Sequence, residues 1–298
     1  MTQQTAIQHL EDLIDQLHQG GRLRVWSIAI TIFGDAIVPR GGEISLVALQ
    51  EVMGRMRIEP NAVRTAISRL AKDGWILRRK CGRQSYYRLA PEGMESFEHA
   101  TRKIYSASAP EWSGRFEGLI VSRGDARVSE RKLRELERSG YGSPSTGLYL
   151  RPVTGFEDKK VVEGLSRFTT DDLQIPNLQM FARDVWKLDV LENSYEEFLK
   201  RYSHLFESWH AQNTLSPLES LVARVLLIHD WRRLVLKDPW LPQAFLPESW
   251  IGHRAREVTR ELYELLLAES EKWLEHCEDG ETGNLTQPGP DFFLRFKE

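Results

Sequence analysis

The sequence contains few cysteines, and they do not form a disulfide or metal-binding pattern. Only Cys81 and Cys277 occur in 298 residues, with no Cys-x-x-Cys spacing. Small disulfide-bonded folds need several cysteine pairs, and thiolate zinc sites need closely spaced cysteines. Both classes are therefore excluded, and we interpret Cys81 as a small residue in a surface turn.

Long apolar runs are also absent. A membrane-spanning helix needs roughly 18 uninterrupted apolar residues, and even the apolar run from Leu221 to Ile228 contains Arg224. The first 16 residues carry acidic side chains, whereas a signal peptide has a basic segment followed by an apolar core. We therefore predict a cytoplasmic protein that does not act in a membrane.

The sequence lacks the motifs of common enzymes. It has no glycine-rich phosphate loop, no dinucleotide-binding fingerprint and no His-Glu-x-x-His, and its eight histidines show no metal-ligand spacing. We therefore predict no catalytic residue, no metal and no cofactor.

The composition that remains is that of a folded protein with an uneven charge distribution. Apolar residues make up 41% of the chain, and its length favours two or three domains. Residues 1–90 carry a net charge of +5 and residues 91–298 a net charge of −8. Eight basic residues and one acidic residue lie between Pro60 and Ala90. Such a segment suits a polyanion such as DNA, although a solvated basic surface gives the same count.

Helical spacing predicts a compact N-terminal domain. Ile7, Leu10, Ile14 and Leu17 recur as one stripe that ends near Gly20-Gly21. Further helices are predicted from Leu23 to Phe33, followed by a breaker run that starts at Gly34, and from Leu46 to Met56 with Ser45 as its N-cap. The first stripe can pack on its own domain or form a dimer interface.

The most informative helix is predicted from Asn61 to Asp73, between Pro60 and Gly74. One of its faces is apolar, and the other is polar and basic without apolar residues. A face of this kind can enter the major groove of DNA. Its predicted DNA-contacting residues are Asn61, Arg64, Thr65, Ser68, Arg69 and Lys72.

A basic hairpin follows this helix. Trp75 to Arg79 and Ser85 to Leu89 are rich in strand-forming residues, and Lys80 to Gln84 form the turn between them. Helix, helix and basic hairpin together predict a winged helix-turn-helix. Its wing contacts DNA through Lys80, Arg83 and Gln84.

Motifs spread along the chain resemble PaaX-type transcriptional repressors. In the first third they are Phe33-Gly34-Asp35, Arg40-Gly41-Gly42-Glu43, Val63-Arg64-Thr65-Ala66, Arg69-Leu70, Gly74-Trp75 and Gly82-Arg83-Gln84-Ser85-Tyr86-Tyr87. In the last third they are His229-Asp230-Trp231-Arg232-Arg233, Lys237-Asp238-Pro239, Leu241-Pro242, Leu246-Pro247, Trp250-Ile251-Gly252-His253, Pro288-Gly289-Pro290 and Phe293-Leu294-Arg295-Phe296. The resemblance therefore covers nearly the whole chain, with one departure at Glu59-Pro60, where a Ser or Asn cap is expected.

This resemblance implies a repressor of aromatic-acid catabolism, above all of phenylacetate degradation. The implied effector is an aryl-CoA thioester, phenylacetyl-CoA, which releases the repressor from DNA. The resemblance also implies a Cas2-like fold for the middle of the chain, and some Cas2-like proteins are metal-dependent nucleases.

The middle of the chain independently predicts a small ferredoxin-like α+β domain. Strands are expected at Phe116–Ser122, Thr146–Leu150 and Leu178–Ala182, and helices at Ser129–Arg138 and Glu157–Phe168. For a nuclease, the candidate metal ligands are Asp125 and the pair Asp171-Asp172. Asp125 lies between Arg123 and Arg127, which favours a solvated loop charge.

The last hundred residues predict helices. Ser194 to Glu197 and Ser216 to Glu219 match the capping-box spacing, and a long helix is expected from Arg254 to Glu275. Basic and aromatic residues there are candidates for effector binding, although the arginines can instead pair with Asp230, Asp238 or Glu248. The predicted effector-binding residues are His229, Arg232, Arg233, Lys237 and Trp250.

We therefore predict an α+β multidomain protein. Its parts are a winged helix-turn-helix domain in 1–90, a connecting helix and linker in 91–110, a ferredoxin-like (Cas2-like) domain in 111–188 and an all-helical C-terminal domain in 189–298. The expected protein is a homodimer that binds a double-stranded DNA operator with an inverted repeat. The alternatives are a nucleic-acid or thioester hydrolase and a non-specific architectural DNA-binding protein.

Overall fold

The computed structural model describes residues 5–19, 21, 23–121, 129–156, 162–210, 215–277 and 285–297. The chain divides into two compact units. The first comprises Met1–Tyr105, Phe198–Arg232 and Arg256–Glu298, and the second comprises Ser106–Glu197 and Arg233–Ala255. The described residues form ten α-helices and two small antiparallel sheets, so the fold is mixed α and β. None of the helices described is long and apolar enough to cross a membrane.

The N-terminal part of the first unit combines helices with a three-stranded sheet. Its elements are α1 (Ala6–Gln19), α2 (Val25–Ile32), β1 (Glu43–Ser45), α3 (Leu46–Arg55), α4 (Pro60–Lys72), β2 (Ile76–Cys81), β3 (Gln84–Leu89) and α5 (Pro91–Tyr105). The strands pair antiparallel in the order β1-β3-β2. The helices and the hairpin predicted for this part are confirmed, and β1 is an element that the sequence analysis missed.

The apolar stripe of α1 is largely buried within its own chain. Leu10 and Ile14 are fully buried, and Ile7 is 36% exposed. Arg57, which follows α3, bonds to Glu11 of α1 and fixes the helix at its polar side. Of the two interpretations of this stripe, the structure therefore favours packing within the first unit.

The helix that begins with α2 continues through Gly34, where the sequence predicts a break. It passes into a π-helical turn, Phe33–Ile37, then a 3-10 turn, Val38–Arg40, and ends at Gly41 with a φ of 90°. A Cβ atom at position 34 would lie 2.7 Å from the ring of Phe97. Gly34 thus permits close packing, and its interpretation as a helix breaker was wrong.

The π-helical turn carries Asp35 into the interior of the first unit. Its Oδ2 lies 2.7 Å from Nε of Arg224, and both side chains are 0% exposed. Its Oδ1 accepts hydrogen bonds from the hydroxyl of Tyr105 at 2.6 Å, the hydroxyl of Tyr263 at 3.0 Å and Nη1 of Arg295 at 3.0 Å. Asp35 is therefore the centre of a buried polar network.

A second buried carboxylate extends this network. Arg224 donates through Nη1 to Oε1 of Glu271 at 2.6 Å, and Arg40 bonds to Oε2 of the same group. Arg40 also donates to the carbonyl of Thr286 at 2.8 Å, which attaches the tail of the chain. We name the set the buried ion cluster; it comprises Asp35, Arg40, Arg224, Glu271 and Arg295. With three arginines and two carboxylates, its members carry one excess positive charge.

The second unit is built on a four-stranded antiparallel sheet. Its elements are β4 (Phe116–Ile120), α6 (Glu130–Arg138), β5 (Gly142–Ser145), β6 (Leu148–Pro152), β7 (Ser166–Thr170) and α7 (Leu178–Trp186). The strand order is β5-β6-β4-β7. Leu119 of β4 and Leu136 of α6 belong to its hydrophobic core together with Tyr141 and Val162. The helix predicted at Ser129–Arg138 is present as α6, and Ser129 is its N-cap, because its hydroxyl accepts a hydrogen bond from the amide of Lys132 at 3.3 Å.

The predicted helix Glu157–Phe168 is wrong where the structure describes it. Residues 157–161 lie outside the described residues, and Ser166–Thr170 forms β7. Phe168 pairs with Gly118 of β4, and a Cβ atom at Gly118 would meet the Phe168 ring at 2.1 Å. The missing side chain of Gly118 makes room for the ring, a tertiary contact that a local pattern cannot reveal.

The predicted strand Leu178–Ala182 is also wrong, because these residues lie in α7. Asn177 caps this helix: its Oδ1 accepts a hydrogen bond from the amide of Met180 at 2.9 Å. Short apolar runs do not distinguish a helix from a strand. The capping residue Asn177 before this run was the sequence signal that favours a helix. The strand predicted at Thr146–Leu150 is present as β6, and β5 was missed.

Three long helices contribute residues to both units. They are α8 (Leu188–His210), α9 (Pro217–Val235) and α10 (Ile251–His276). The capping box before α9 is confirmed: the amide of Ser216 donates to Oε2 of Glu219 at 3.0 Å, and the amide of Glu219 donates to the Ser216 hydroxyl at 3.4 Å. The start predicted at Ser194 is wrong. That residue lies inside α8, and its hydroxyl donates to the carbonyl of Val190.

Candidate nucleic-acid interface

Helix α4 separates an apolar face from a polar face. Pro60 occupies its first turn, where its fixed φ suits a helix and its missing N–H costs nothing. Val63, Ala66, Ile67 and Leu70 are buried on one side. All the predicted DNA-contacting residues of this helix are exposed: Asn61, Arg64, Thr65, Ser68, Arg69 and Lys72. The apolar face therefore anchors the helix and leaves the polar face open to a partner.

The exposed residues of α4 are held only by weak local contacts. Arg64 donates through Nη1 to Oδ1 of Asn61 at 3.3 Å, and the hydroxyl of Thr65 donates to the carbonyl of Asn61 at 2.8 Å. Nε of Arg69 lies 3.5 Å from Oδ2 of Asp73, with the arginine side chain 70% exposed. Exposed pairs of this kind contribute little to stability, so a phosphate or a base can replace them.

The hairpin β2–β3 places further basic groups beside α4. Lys80, Arg83 and Gln84 are exposed, as predicted for wing residues. The turn is shorter than predicted, because β2 extends to Cys81 and β3 begins at Gln84. Gly82 has a φ of 55°, a left-handed conformation that two-residue hairpin turns favour and that glycine adopts without strain.

Two arginines of β2 belong to this surface although the sequence analysis did not select them. Arg78 donates through Nη2 to the hydroxyl of Ser85 at 2.7 Å. Arg79 forms a forked pair with Glu43 of β1, donating through Nε at 3.0 Å and through Nη2 at 2.6 Å. This pair lowers the pKa of Glu43 and ties the hairpin to β1. Strand alternation was the signal that could have found Arg78, which shares a face with Lys80.

The position of α4 depends on its neighbours in the first unit. It packs against α2 and α3, and Nε2 of Gln50 in α3 donates to the carbonyl of Pro60 at 3.2 Å. Between α3 and α4, Arg57 adopts a left-handed φ of 59°, which costs a non-glycine residue about 1 kcal/mol or more. Its guanidinium bonds to Glu11 and Asp15 of α1, and these bonds raise the pKa of Arg57. Arg57 is a positioning residue that the sequence analysis missed.

Two of the predicted effector residues contact α2 within the first unit. Nδ1 of His229 lies 3.1 Å from the hydroxyl of Thr31. Arg232 donates through Nε to the same hydroxyl at 2.7 Å and through Nη2 to the carbonyl of Ser27 at 2.8 Å. In this structure both residues join α9 to α2. Of the carboxylates considered as partners, Asp230 pairs with Arg201 at 2.6 Å.

The other predicted effector residues belong to the second unit. Arg233 and Lys237 are exposed. Trp250 is 5% exposed and meets Tyr195 edge-on, with 6.0 Å between the ring centroids. Nearby, Asp238 accepts a hydrogen bond from the amide of Trp240 at 2.6 Å. Within this unit, Arg233 and Lys237 offer accessible charge, and Trp250 is buried against Tyr195.

The carboxylates considered for a nuclease do not form a described cluster. Asp125 lies outside the described residues, and Asp171 and Asp172 are exposed after β7. Among the residues that the structure describes, no group of three or more His, Cys, Asp or Glu side chains could hold a metal ion.

Sequence comparisons identify the family of this chain. A family model described as PaaX-like protein matches residues 24–93, and one described as PaaX-like protein C-terminal domain matches residues 186–276. The first match contains α4 and the hairpin, and the second contains His229, Arg232 and Arg233. The chain belongs to the PaaX family, and the resemblance predicted from its motifs is confirmed.

One relative and one solved structure are similar over most of their lengths. The chain is 30% identical over 284 residues to the transcriptional repressor PaaX of Escherichia coli (strain K12), covering 91% of this chain and 89% of that protein. It also resembles the uncharacterised protein Rv0674 of Mycobacterium tuberculosis, with a TM-score of 0.52 and 18% identity, over 75% of this chain and 88% of that one. At this identity the second similarity concerns the fold alone.

Proposed function

We propose that this protein is a sequence-specific DNA-binding transcriptional repressor of phenylacetate catabolism. The observation that carries the proposal is α4, whose exposed face holds only polar and basic predicted contact residues while its apolar face is buried. The similarity to the repressor PaaX supports the same function. A hydrolase has no comparable support, since no described carboxylate cluster accompanies Asp171 and Asp172.

In this proposal the first unit contains a winged helix-turn-helix within residues 1–90. Helices α3 and α4 form the helix-turn-helix, and β2–β3 is the wing. The four-stranded sheet supports a ferredoxin-like, Cas2-like domain in residues 111–188. Along the chain, β4 is the first strand of this sheet and β6 is the third, and the order β5-β6-β4-β7 places these two at its centre. The linker in 91–110 and the helical domain in 189–298 complete the proposed organisation.

DNA recognition follows from the chemistry of the exposed groups. An arginine on a helix in the major groove donates two hydrogen bonds to guanine, and Arg64 and Arg69 are the candidates for this role. Lys80 and Arg83 at the hairpin tip contact phosphates, which gives affinity without sequence information. One α4 reads few base pairs, so we propose a homodimer on an inverted repeat with half-sites about one helical turn, or a multiple of it, apart.

Regulation in this proposal comes from an aryl-CoA thioester, with phenylacetyl-CoA as the effector. A ligand shifts a conformational equilibrium only by its difference in affinity between the two states. The effector must therefore bind better to a conformation in which the two copies of α4 no longer match the operator. The sequence predicts Arg233 and Lys237 as contacts for its anionic groups, and probe binding to Arg233→Ala tests this location against any other.

Binding to a duplex selected from a random DNA pool tests the proposed function. We expect Arg64→Ala to weaken binding to the selected duplex by about 1–3 kcal/mol and to reduce the preference over random duplex. We expect Arg83→Ala to weaken binding to all duplexes and to lower the log–log salt slope by about one unit. The matched control is Arg131→Ala, an arginine on α6 whose side chain is 87% exposed. If Arg64→Ala and Arg83→Ala bind like this control, α4 and the hairpin are not the DNA interface.

Two further measurements test regulation and assembly. We expect phenylacetyl-CoA to release the selected duplex, and CoA and phenylacetate to leave it bound, because each lacks part of the contact surface. Release by phenylacetate alone contradicts a thioester effector.

Light scattering at micromolar concentration should give a dimer. A monomer in solution, with one protein chain bound per operator, contradicts the proposed assembly.

A further inference from the structure

A cavity of about 630 Å³ lies in the first unit beside the helix-turn-helix. Small-molecule sites in proteins occupy about 300–1,000 Å³. Its walls come from α3, from the beginning of α9 and from the end of α10. None of the sequence-predicted effector residues lines it. The lining residues are Val47, Ala48, Glu51, Ser216, Pro217, Leu218, Lys272, Trp273, His276 and Cys277.

The walls of this cavity combine apolar and aromatic groups with one ammonium group, that of Lys272, and one carboxylate, that of Glu51. Val47 of α3, Leu218 of α9 and the Trp273 indole supply apolar surface. Lys272 and His276 lie one turn apart on α10 and both line the cavity. Nδ1 of His276 lies 2.7 Å from the carbonyl of Lys272, so the ammonium of Lys272 is the cationic group of this wall. Such a lining suits a flat apolar body that ends in a negatively charged or carbonyl group.

A polar contact joins the α3 wall of the cavity to the α10 wall, and a ligand can compete for it. Nε1 of Trp273 donates to Oε1 of Glu51 in α3 at 3.4 Å, a long and exposed hydrogen bond. The ammonium of Lys272 bonds to Glu269 at 2.6 Å, with its side chain 55% exposed. Both contacts are weak in water, and a ligand carboxylate or thioester carbonyl can replace them at little cost.

We propose that this cavity binds an aromatic acyl group with an anionic or carbonyl end, and that it is the effector site of the repressor. The regulatory role of this site rests on the proposed function, whereas its location and its lining come from the cavity itself. Free aryl acids and aryl-CoA thioesters share this acyl group. The first places its carboxylate beside Lys272 and His276, and the second places its thioester carbonyl there.

The position of the cavity connects a ligand to α4. One wall is α3, which packs against α4 and bonds to the carbonyl of Pro60 through Gln50. Arg55 of α3 donates to Oε1 of Glu219 in α9 at 3.1 Å, so α3 and α9 are tied beside the cavity. A ligand between these helices favours one α3–α9 spacing over another, and α3 carries the change to the proposed recognition helix.

The first test blocks the cavity sterically. Calorimetric titration of the full-length protein uses three probes: phenylacetate, CoA and phenylacetyl-CoA. We expect Val47→Trp to weaken the binding of phenylacetate and of phenylacetyl-CoA by about tenfold or more, because the new indole fills the space of the aromatic group. Val47 is 62% exposed, so the change has little effect on the core. The matched control is Val190→Trp on α8, where the valine is 65% exposed and the affinity should be unchanged.

The second test reverses a charge and maps the contact. We expect Lys272→Glu to weaken the anionic probes by about tenfold, while Lys200→Glu, an exposed lysine of α8, leaves them unchanged. Hydrogen exchange with bound probe should slow in peptides that cover 46–51, 216–219 and 272–277. Protection elsewhere, or parent-like affinity in both Val47→Trp and Lys272→Glu, overturns the proposed site.

The outcomes separate the site from the function. If Arg233→Ala abolishes probe binding while Val47→Trp does not, the site lies at the sequence-predicted residues and the cavity proposal fails. If the parent protein binds none of the three probes, the cavity proposal also fails, whether or not the protein binds DNA. If the probes bind in the cavity but no duplex is selected, the repressor function fails and the site stands.

Discussion

Replacing Asp35 by asparagine will test how strongly the buried ion cluster stabilises the first unit. The change preserves size but removes the charge that faces Arg224 at 2.7 Å and Arg295 at 3.0 Å. It also raises the excess of positive charge among the cluster residues from one to two. Removing one partner of a buried ion pair costs about 3–5 kcal/mol, because the remaining charge stays desolvated.

We expect a loss near the upper end of that range, since Asp35 serves two arginines and also accepts hydrogen bonds from Tyr105 and Tyr263. Folded domains are stable by only about 5–15 kcal/mol, so the variant should unfold at a much lower urea concentration. Urea unfolding followed by tryptophan fluorescence measures the change, and hydrogen exchange assigns it to the first unit. Arg131→Ala, which removes a surface pair with Glu135, should change stability by less than about 1 kcal/mol.

The double variant Asp35→Asn, Arg224→Met separates charge from packing. Replacing Arg224 by an apolar side chain lowers the excess positive charge of the cluster residues from two back to one, because the arginine that faced Asp35 most closely is no longer charged. We therefore expect the double variant to be more stable than Asp35→Asn alone. A loss below about 1 kcal/mol in Asp35→Asn, or a double variant less stable than both single variants, refutes this account of the cluster.

Two further predictions concern pH and the hairpin. Burial raises the pKa of Tyr263 to about 12 and that of Tyr105 well above its ordinary value, whereas both titrate near pH 10 in the unfolded chain. Between pH 10 and the folded-state pKa, which is about 12 for Tyr263, the unfolded chain binds fewer protons than the folded chain. Stability should therefore fall in this window by at most about 1.4 kcal/mol per pH unit for each tyrosine, and Tyr263→Phe should reduce this slope in urea titrations. Glu43→Gln should free Arg79 for a phosphate and raise the log–log salt slope of DNA binding by about one unit, and an unchanged slope contradicts this.

Helix α4 was predictable because its information is local. Val63, Ile67 and Leu70 recur at helical spacing, and the polar residues fill the opposite face, so the sequence alone assigns both sides. The same holds for the hairpin, whose strand-forming residues flank Gly82. Local periodicity therefore predicted the helix, the hairpin and the exposed face of α4, whereas Arg78 and Arg79 were not selected.

The buried ion cluster was not predictable, because its members are distant in sequence. Asp35 pairs with Arg224, 189 positions away, and with Arg295, 260 positions away. Charged side chains usually lie at the surface, and although Arg224 stands within an apolar run, nothing local identifies its partners. The π-helical turn that carries Asp35 inward contains Gly34, whose close approach to the ring of Phe97 is also a tertiary contact.

Two matching capping motifs had different outcomes, and the structure shows why. At Ser216, the pattern is followed by Pro217 at the first helical position, and both reciprocal hydrogen bonds form. At Ser194, the chain is already helical, because α8 begins at Leu188 directly after Lys187, which has a left-handed φ of 52°. A capping box marks a helix start only where the preceding residues leave the helix.

The family motif from His229 to Arg233 shows how one short sequence supports several contacts. These residues lie on α9, and consecutive residues of a helix point in different directions. Nε1 of Trp231 donates to the carbonyl of Ile104 at 2.8 Å, and Asp230 accepts hydrogen bonds from α8, while Arg232 bonds to α2. Because α2 packs against α4, the bonds of Arg232 to α2 contribute to the position of the proposed recognition helix. A loss of repression in an Arg232 variant therefore does not by itself locate the effector, and only a direct binding measurement distinguishes a positioning residue from a ligand contact.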